Sequence, residues 1–253
     1  MRSSPTLTTV ILTKNSVSEL EVVLEQASTH SDQVLLLDDF SEDDISALAK
    51  KWKAQVFQHA LAGDYATHRN SIFPQVTTEW VLFLDSDEIP TLGFWDELQD
   101  AISTDSYDAF YISRRNQFLG KELRFGEAGE KKLLRVAKIA VGENHWKRAV
   151  HEVWEVETTR VGTLESIVLH TQPQSVTAFI AKLNNYSELE QSVRPELSAA
   201  SCWLQLALFP PGKFVWNVVF KQAWRDGFAG LALAWLMSYY SAIVRIQQYE
   251  KTV

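Results

Sequence analysis

Apolar residues along the first half of the chain come in short runs, separated by longer stretches where they recur every three or four positions. This alternation is the pattern of strands and crossover helices in a parallel sheet covered on both faces. The runs predict strands at residues 8–12, 33–37, 54–57, 80–84 and 109–112. Val17, Leu20, Val23, Leu24 and Ala27 fall on one helical face. Ser41-Glu42-Asp43-Asp44 reads as a helix start, a capping serine followed by acids in the first turn. Further helices are expected at 64–73 and 92–102. After residue 113 the pattern loosens into a polar, glycine-bearing stretch (RRNQFLGKELRFGEAGEKKLLR), expected to form loops over a site. Short strands resume at about 132–136, 150–156 and 166–169. Phe179, Ile180, Leu183 and Tyr186 mark one face of a helix from Ser175.

From residue 214 the pattern changes again. Asn217, Lys221 and Arg225 make a stripe at i, i+4 and i+8 of a helix expected over 214–226, with Trp216, Val219, Phe220 and Ala223 opposite. Residues 227–244 then carry no charged side chain, over a length just short of the ~20 residues a comfortable span needs. Three readings stay open here: a buried helix pair, attachment in the membrane interface, or a true span. Trp and Tyr beside Lys and Arg favour the interface. The expected organisation is a body over residues 1–190 and a helical, membrane-associating segment over 191–253. The fold class is α/β, a mostly parallel sheet with flanking helices plus C-terminal amphipathic and apolar helices.

With 253 residues, 46% of them hydrophobic, the chain is long enough for one large or two small domains. Its net charge of −8 argues against a nucleic-acid partner, which needs clustered Lys and Arg. The charge is uneven, because residues 200–253 hold Lys213, Lys221, Arg225, Arg245 and Lys251 against only Asp226 and Glu250. One cysteine, Cys202, forms no internal disulfide. The first residues show no secretory signal pattern, so the body is expected in the cytoplasm.

The strongest local signal is Trp80-Val-Leu-Phe-Leu-Asp85-Ser-Asp87-Glu88, an apolar run ending in three acids. Acids there stand at the carboxyl edge of a buried parallel strand, where open α/β sheets bind ligands. Two readings are open: a hard cation such as Mg²⁺ or Mn²⁺ neutralises the acids together with a substrate's phosphates, or they form a solvated turn capping the next helix. Asp38-Asp39 follows a second strand, and Thr13-Lys14-Asn15 ends the first, so three strand ends bring polar groups to one rim. Asp64, Arg69 and Asn70 add a cation suited to phosphate or base contacts. Neither a Walker-type loop nor G-x-G-x-x-G occurs, which disfavours P-loop and Rossmann dehydrogenase chemistry.

The order VILTKN, LLLDDFSEDD and HRNSIFPQVTTEWVLFLDSDE resembles family-two glycosyltransferases of the GT-A fold. Within that family, W-V-L-F-L-D-S-D-E, the loop NQFLGKELRFG, Arg135, Val150-His151-Glu152 and a later lone His resemble the bacterial branch that extends lipopolysaccharide core or related glycolipids. The resemblance implies a metal-dependent, inverting transfer from a nucleotide-diphosphate sugar, UDP-sugars favoured, to a hydroxyl of a lipid-linked or lipopolysaccharide-type acceptor. It implies a peripheral position on the inner face of the cytoplasmic membrane. It also implies that Asp85, Asp87 and His170 face Mg²⁺ or Mn²⁺, and that Glu152 is the base taking the acceptor's proton. Thr13, Lys14, Asn15, Asp38, Asp39, Asp64, Arg69, Asn70 and Asp85 would contact the nucleotide sugar. On the residues alone, His170 also reads as a hydrogen-bonded strand-end histidine, and Glu152 as an acid on a strand's polar face. Arg114, Arg115, Lys121 and Arg124 read either as a basic group for acceptor phosphates or as scattered charges on a solvated loop. A second functional reading is a non-catalytic nucleotide-sugar-binding membrane scaffold. A sugar-phosphate nucleotidyltransferase is disfavoured for want of a glycine-rich phosphate loop.

Overall fold

A computed structural model describes residues 4–142, 144–149, 152–171, 175–195 and 197–252, the side chains of residues 189 and 191–193 excepted. The chain divides into two compact units. The first comprises the residues up to Arg114 with Lys131–His170, and the second Arg115–Glu130 with the chain from Thr171 onward. This division falls twenty residues before the boundary expected at 190.

The first unit opens with β1 (Leu7–Thr13), α1 (Val17–His30), β2 (Gln33–Asp38), α2 (Ser46–Lys51), β3 (Gln55–Gln58), α3 (Tyr65–Asn70) and β4 (Trp80–Asp85). It continues through β5 (Glu88–Pro90), α4 (Phe94–Ser103) and β6 (Ala109–Phe118). After β7 (Lys121–Glu122) come β8 (Lys131–Lys138), β9 (Asn144–Lys147), β10 (Val153–Val156) and β11 (Val161–Thr171). The main sheet runs β3-β2-β1-β4-β8-β6-β11-β5. Its first four strands are parallel, while β8 pairs antiparallel with β4 and with β6, and β11 pairs antiparallel with β5.

The continuous apolar run of β4 is split by the strand's period of two. Trp80, Leu82 and Leu84 pack with Leu20, Leu24, Phe94 and Leu98 on one face, and Val81 and Phe83 pack with Val10, Leu35, Leu37, Trp146 and Trp154 on the other. Each such side chain contributes about 1.5–3 kcal/mol when fully buried. By the same alternation, Asp85 leaves the sheet on the side of Phe83 and Trp146. The predicted strands of the parallel half form with ends shifted by one residue at most.

Three expectations change. The helix start at Ser41 does not form, because the Asp38 carboxylate accepts from the Ser41 hydroxyl and backbone N–H, and α2 begins at Ser46. The stretch after residue 113 is not all loop, since β6 runs on to Phe118 and turns back into β7 through Leu119 (φ 49°) and Gly120 (φ 73°). Two left-handed residues in a two-residue loop match the twist of a hairpin. The polar sequence around 144–147 forms β9, paired antiparallel with β10 in a separate ribbon, while Val150 and His151 of the expected 150–156 strand lie outside the described residues.

The second unit is built on α5 (Val176–Val193), α6 (Ala199–Val215) and α7 (Gly227–Glu250). Phe118, Leu123, Phe179, Leu183, Ala229 and Leu233 form its core. The single amphipathic helix expected over 214–226 is not present. α6 ends at Val215, a wide turn covers Trp216–Phe220, Gln222 is left-handed (φ 56°), and a 3₁₀ turn spans Ala223–Asp226. The physical reason lies in two polar side chains. Asn217 is buried and accepts the Glu127 N–H at 2.7 Å, and Asp226 accepts the N–H groups of Arg124 and Phe125 at 2.9 and 2.8 Å. They satisfy part-buried loop N–H groups and tie the loop to this segment. A close approach completes the arrangement, because a Cβ at Gly230 would lie 2.0 Å from the Ala223 carbonyl oxygen. Trp216, Val219, Phe220 and Trp224 are left more than half exposed. Among the described residues, one helical stretch, Ala223–Glu250, is long and apolar enough to cross a membrane.

Candidate active site

The carboxyl ends of β1, β2 and β4 form one rim, and most of the polar groups expected there are engaged in shaping it. Thr13 shares a hydrogen bond with the Ser16 hydroxyl (2.8 Å), which in turn donates to Ser86 (2.9 Å). Lys14 Nζ donates to the carbonyls of Asp39 and Phe40. The left-handed Asn15 (φ 48°) accepts the Glu42 N–H at 2.7 Å and donates its own N–H to Ser41. Asp38 also accepts from Gln58 Nε2 (3.0 Å), and Asp39 accepts the Leu61 N–H (2.9 Å). Asp38 is thus buried and held by protein donors, whereas Lys14 and Asn15 stay exposed on the rim.

α3 contributes three of the expected residues, and they do different things. Asp64 is its N-cap, accepting from the Thr67 N–H and hydroxyl, whose hydrogen bonds hold its carboxyl below the ordinary value. Asn70 clamps β9, donating to the Trp146 carbonyl (2.9 Å) and accepting its N–H (2.8 Å). Arg69 alone turns to the charged cluster at the end of β4.

That cluster is a network of three carboxylates and three guanidinium groups. Arg69 Nη2 donates to Asp85 Oδ1 at 2.8 Å and lies 3.2 Å from Glu152 Oε1, while its guanidinium stacks over Trp146 with its carbon 4.6 Å from the ring centre. Arg135 Nη2 reaches Asp85 Oδ2 at 3.2 Å and Glu88 Oε1 at 3.5 Å. Arg114 Nη1 donates to Glu88 Oε1 at 3.0 Å, and the second Glu88 oxygen accepts the Asp85 N–H. Glu88 is fully buried and Arg69 and Arg135 nearly so. Burial pushes the Asp85 carboxyl up, but Arg135 and then Arg69 outweigh it and hold the group far below the usual carboxylate range. Burial likewise works against the Arg135 charge, and Glu88 and Asp85 overcome it.

The counter-charge that the sequence reading gave to a cation is therefore supplied at Asp85 and Glu88 by arginines. Arg114 belongs to this network, while Arg115 pairs with Glu122 and Glu130 in the second unit, so the basic group expected over 114–124 does not form as one set. Besides its place in the family resemblance, Arg135 carried one clue in the sequence, its position between Leu134 and Val136 inside an apolar strand; Arg114, between Ser113 and Arg115, carried none.

The other acid of the motif, Asp87, takes a different partner. Its Oδ2 lies 3.1 Å from His170 Nε2, on β11, beside the Glu88–His170 pair of the β5–β11 register. Among the described residues, no three His, Cys, Asp or Glu side chains converge as a metal-binding group, so Asp85, Asp87 and His170 do not form the expected three-donor set. The Asp87–His170 pair alone fits a cation. Two ligand atoms each ~2.1 Å from an octahedral ion at a right angle stand ~3.0 Å apart, and the carboxylate is a donor that suits Mg²⁺ or Mn²⁺.

Two donors in the network have no acceptor among the described residues: Arg69 Nη1 and Arg135 Nη1 are buried without a hydrogen-bond partner there. A buried unpaired donor costs about 1–3 kcal/mol, more when charged. Unmet donors beside the carboxyl end of a parallel sheet are what an anionic ligand supplies acceptors for.

The fold is an α/β sheet whose parallel strands end in a polar rim, and residues 8–145 match the model of Glycosyl transferase family 2. That match covers more than half of the chain, and the chain belongs to this family; its mixed, mostly parallel sheet with flanking helices is GT-A-like. A TPR repeat-containing protein of Synechococcus elongatus is 26% identical over 111 residues, 44% of this chain and 28% of that protein. An uncharacterized glycosyltransferase of Rickettsia prowazekii is 25% identical over 191 residues, 72% of this chain and 65% of that protein. The chain thus spans less than two thirds of the length of either relative. Among solved structures, glucosyl-3-phosphoglycerate synthase from Mycobacterium tuberculosis, in complex with Mn²⁺, UDP and phosphoglyceric acid, aligns with a TM-score of 0.45 and 14% identity over 69% of this chain and 73% of that one. Mannosyl-3-phosphoglycerate synthase from Rubrobacter xylanophilus aligns with a TM-score of 0.38 and 16% identity over 44% of this chain and 41% of that one.

Proposed function

We propose that the chain transfers a sugar, with inversion, from a nucleotide-diphosphate donor, UDP favoured, to a hydroxyl of a lipid-linked or lipopolysaccharide-type acceptor on the inner face of the cytoplasmic membrane. The observation that carries the reading is the pair of unmet guanidinium donors of Arg69 and Arg135, set beside Asp85 at the strand end and within a family-two domain. A diphosphate or sugar hydroxyl gives them acceptors, and their network partners fix their geometry beforehand. Lys14 and Asn15, exposed on the rim next to Asp39, would meet the nucleoside.

The chemistry asks for a base that removes the acceptor hydroxyl's proton as its oxygen attacks the anomeric carbon and the bond to the diphosphate breaks. Glu152 is our choice. Arg69 holds Oε1, which leaves Oε2 as the oxygen to receive the proton. Asp87 with His170 would hold Mg²⁺ or Mn²⁺, whose positive charge would favour the departing diphosphate. Support for a membrane position comes from the second unit, where Trp203, Phe220, Phe228 and Trp235 are all more than half exposed.

The test is thermal stabilisation of the whole chain by nucleoside diphosphates and their sugars, with and without Mn²⁺, alongside Asp87→Ala. A ligand that binds the native state raises its stability with the logarithm of saturation. Stabilisation by a UDP-sugar that needs both Mn²⁺ and Asp87 is the expected result, and a variant stabilised as well as wild type removes the metal role. Donor binding without transfer to any acceptor would support the scaffold reading instead.

A further inference from the structure

The second unit contains a cavity of about 490 Å³ far along the chain from every residue discussed above as catalytic. It is bounded by the end of α5, the C-terminal half of α6 and the middle of α7, and lined by Phe209, Trp216 and Tyr240 together with three cations, Arg194, Lys213 and Arg245. Its size falls in the range of small-molecule sites.

The charges around it do not balance. Arg194 is paired with Glu190, with Nε to Oε1 at 3.0 Å, and the other Glu190 oxygen accepts the Tyr240 hydroxyl. Lys213 Nζ lies 3.1 Å from Glu127 Oε1. Among the described residues, these pairings engage Glu190 and Glu127 and leave Arg245 over. Arg245 is 7% exposed, stacks on Phe209 with its guanidinium carbon 4.5 Å from the ring centre, and donates Nη1 only to the Ser241 carbonyl of its own helix. Its Nε is buried with no partner, and no ion pair to it exists among the described residues. A buried cation without a counter-charge is costly in any protein that does not use it. Flat guanidinium donors meet phosphate oxygens with matched geometry.

The surroundings say which phosphate. Trp203, Leu204 and Leu208 of α6, and Trp235 of α7, are each more than half exposed. Such a surface loses free energy in water and gains it in acyl chains. The geometry points to this cavity as a binding site for the phosphate headgroup of a membrane lipid, with Arg245 as the principal ligand, Arg194 and Lys213 as supporting cations, and the lipid's chain lying along the exposed apolar face of α6. The inference rests on the membrane position proposed above for the source of the ligand, and is independent of the transfer chemistry.

The experiment measures binding of dihexanoyl phosphatidic acid to the whole chain by the fluorescence of its tryptophans, one of which lines the cavity. Dihexanoylglycerol and inorganic phosphate serve as controls. The expected order is phosphatidic acid tighter than either control by about tenfold or more, with that advantage lost in Arg245→Gln. Circular dichroism checks that the variant folds; if it does not, Lys213→Gln carries the test, with weakening in the same direction. Equal binding of the neutral glyceride overturns the phosphate site, and equal binding of inorganic phosphate overturns the lipid. Phosphatidylcholine vesicles, with and without phosphatidic acid, separate the two readings. Attachment to both kinds of vesicle that survives Arg245→Gln unchanged keeps the membrane position and overturns the headgroup site. No attachment to either, with soluble phosphatidic acid still bound tightly, overturns the membrane position and keeps the site.

Discussion

The two units of this chain bury opposite things. In the first, charge is taken inside: Asp85, Glu88 and Glu152 meet Arg69, Arg114 and Arg135 in a network whose Glu88, Arg69 and Arg135 are buried, at the end of β4, whose apolar residues are fully covered. In the second, apolar surface is left outside: large side chains from Trp203 to Trp235 stay more than half exposed along α6, the turn after it and the start of α7. Both arrangements are expensive for a protein alone in water. The difference teaches that the cost is met differently. The acids and arginines balance one another almost completely, and in the proposed reading a small anionic ligand meets the two remaining nitrogen atoms. In the same reading the helical unit meets a membrane surface.

The comparison breaks most severely at Glu88. Glu88→Ala strands Arg114 and half of Arg135's pairing in the interior, and should lower unfolding free energy by about 3–5 kcal/mol in a urea titration. A loss below ~1 kcal/mol would mean that water reaches the network. Next comes the reaction. Glu152→Gln should leave donor stabilisation in place and reduce sugar transfer by about 10²–10⁴-fold, and a fully active variant eliminates this base.

A pH titration sharpens the same side of the comparison. The folded-state Asp85 carboxyl lies below its unfolded value because two arginines outweigh burial, so it stabilises the fold above its unfolded pKa of ~3.9 and that stability is lost as pH falls through and below this value. The urea midpoint of wild type should therefore drop more steeply with acid than that of Asp85→Asn. Parallel curves would show that the network is not ionised as described. The smallest effect on stability belongs to the other unit: Phe228→Ser, at a residue 80% exposed, should change unfolding free energy by no more than ~0.5 kcal/mol. The same substitution should weaken sedimentation with phospholipid vesicles. Vesicle binding unchanged by it would show that the exposed apolar face serves some other contact.

Legibility followed the range of the interactions. β1, β2 and β4 read directly, since a buried parallel strand is a short apolar run and the acids at its end stand out against it. The helix start at Ser41 misled because Asp38, three residues earlier, captured the same serine. The ribbon of β9 and β10 was invisible around Trp146, because β9 is mostly polar and its clamp, Asn70, comes from 76 residues away. Asp64 and Asn70, expected to contact the nucleotide sugar, serve in the structure as a helix cap and as a clamp on the backbone of β9. The stripe of Asn217, Lys221 and Arg225 looked like a solvated helix face, yet Asn217 is buried on the Glu127 backbone.

By itself the sequence determined the parallel half of the sheet, the rim where its strands end, and the apolar character of the last helices, because local periodicity and the polarity change at a strand end are written in consecutive residues. Tertiary structure alone decided which charge meets which: that Asp85 faces Arg69 and Arg135 while Asp87 faces His170, that Glu88 is wholly buried, and that Arg245 has no ion pair among the described residues. Those outcomes depend on Coulomb and desolvation terms of several kcal/mol between groups 16 to 83 residues apart, and no window along the chain contains both partners.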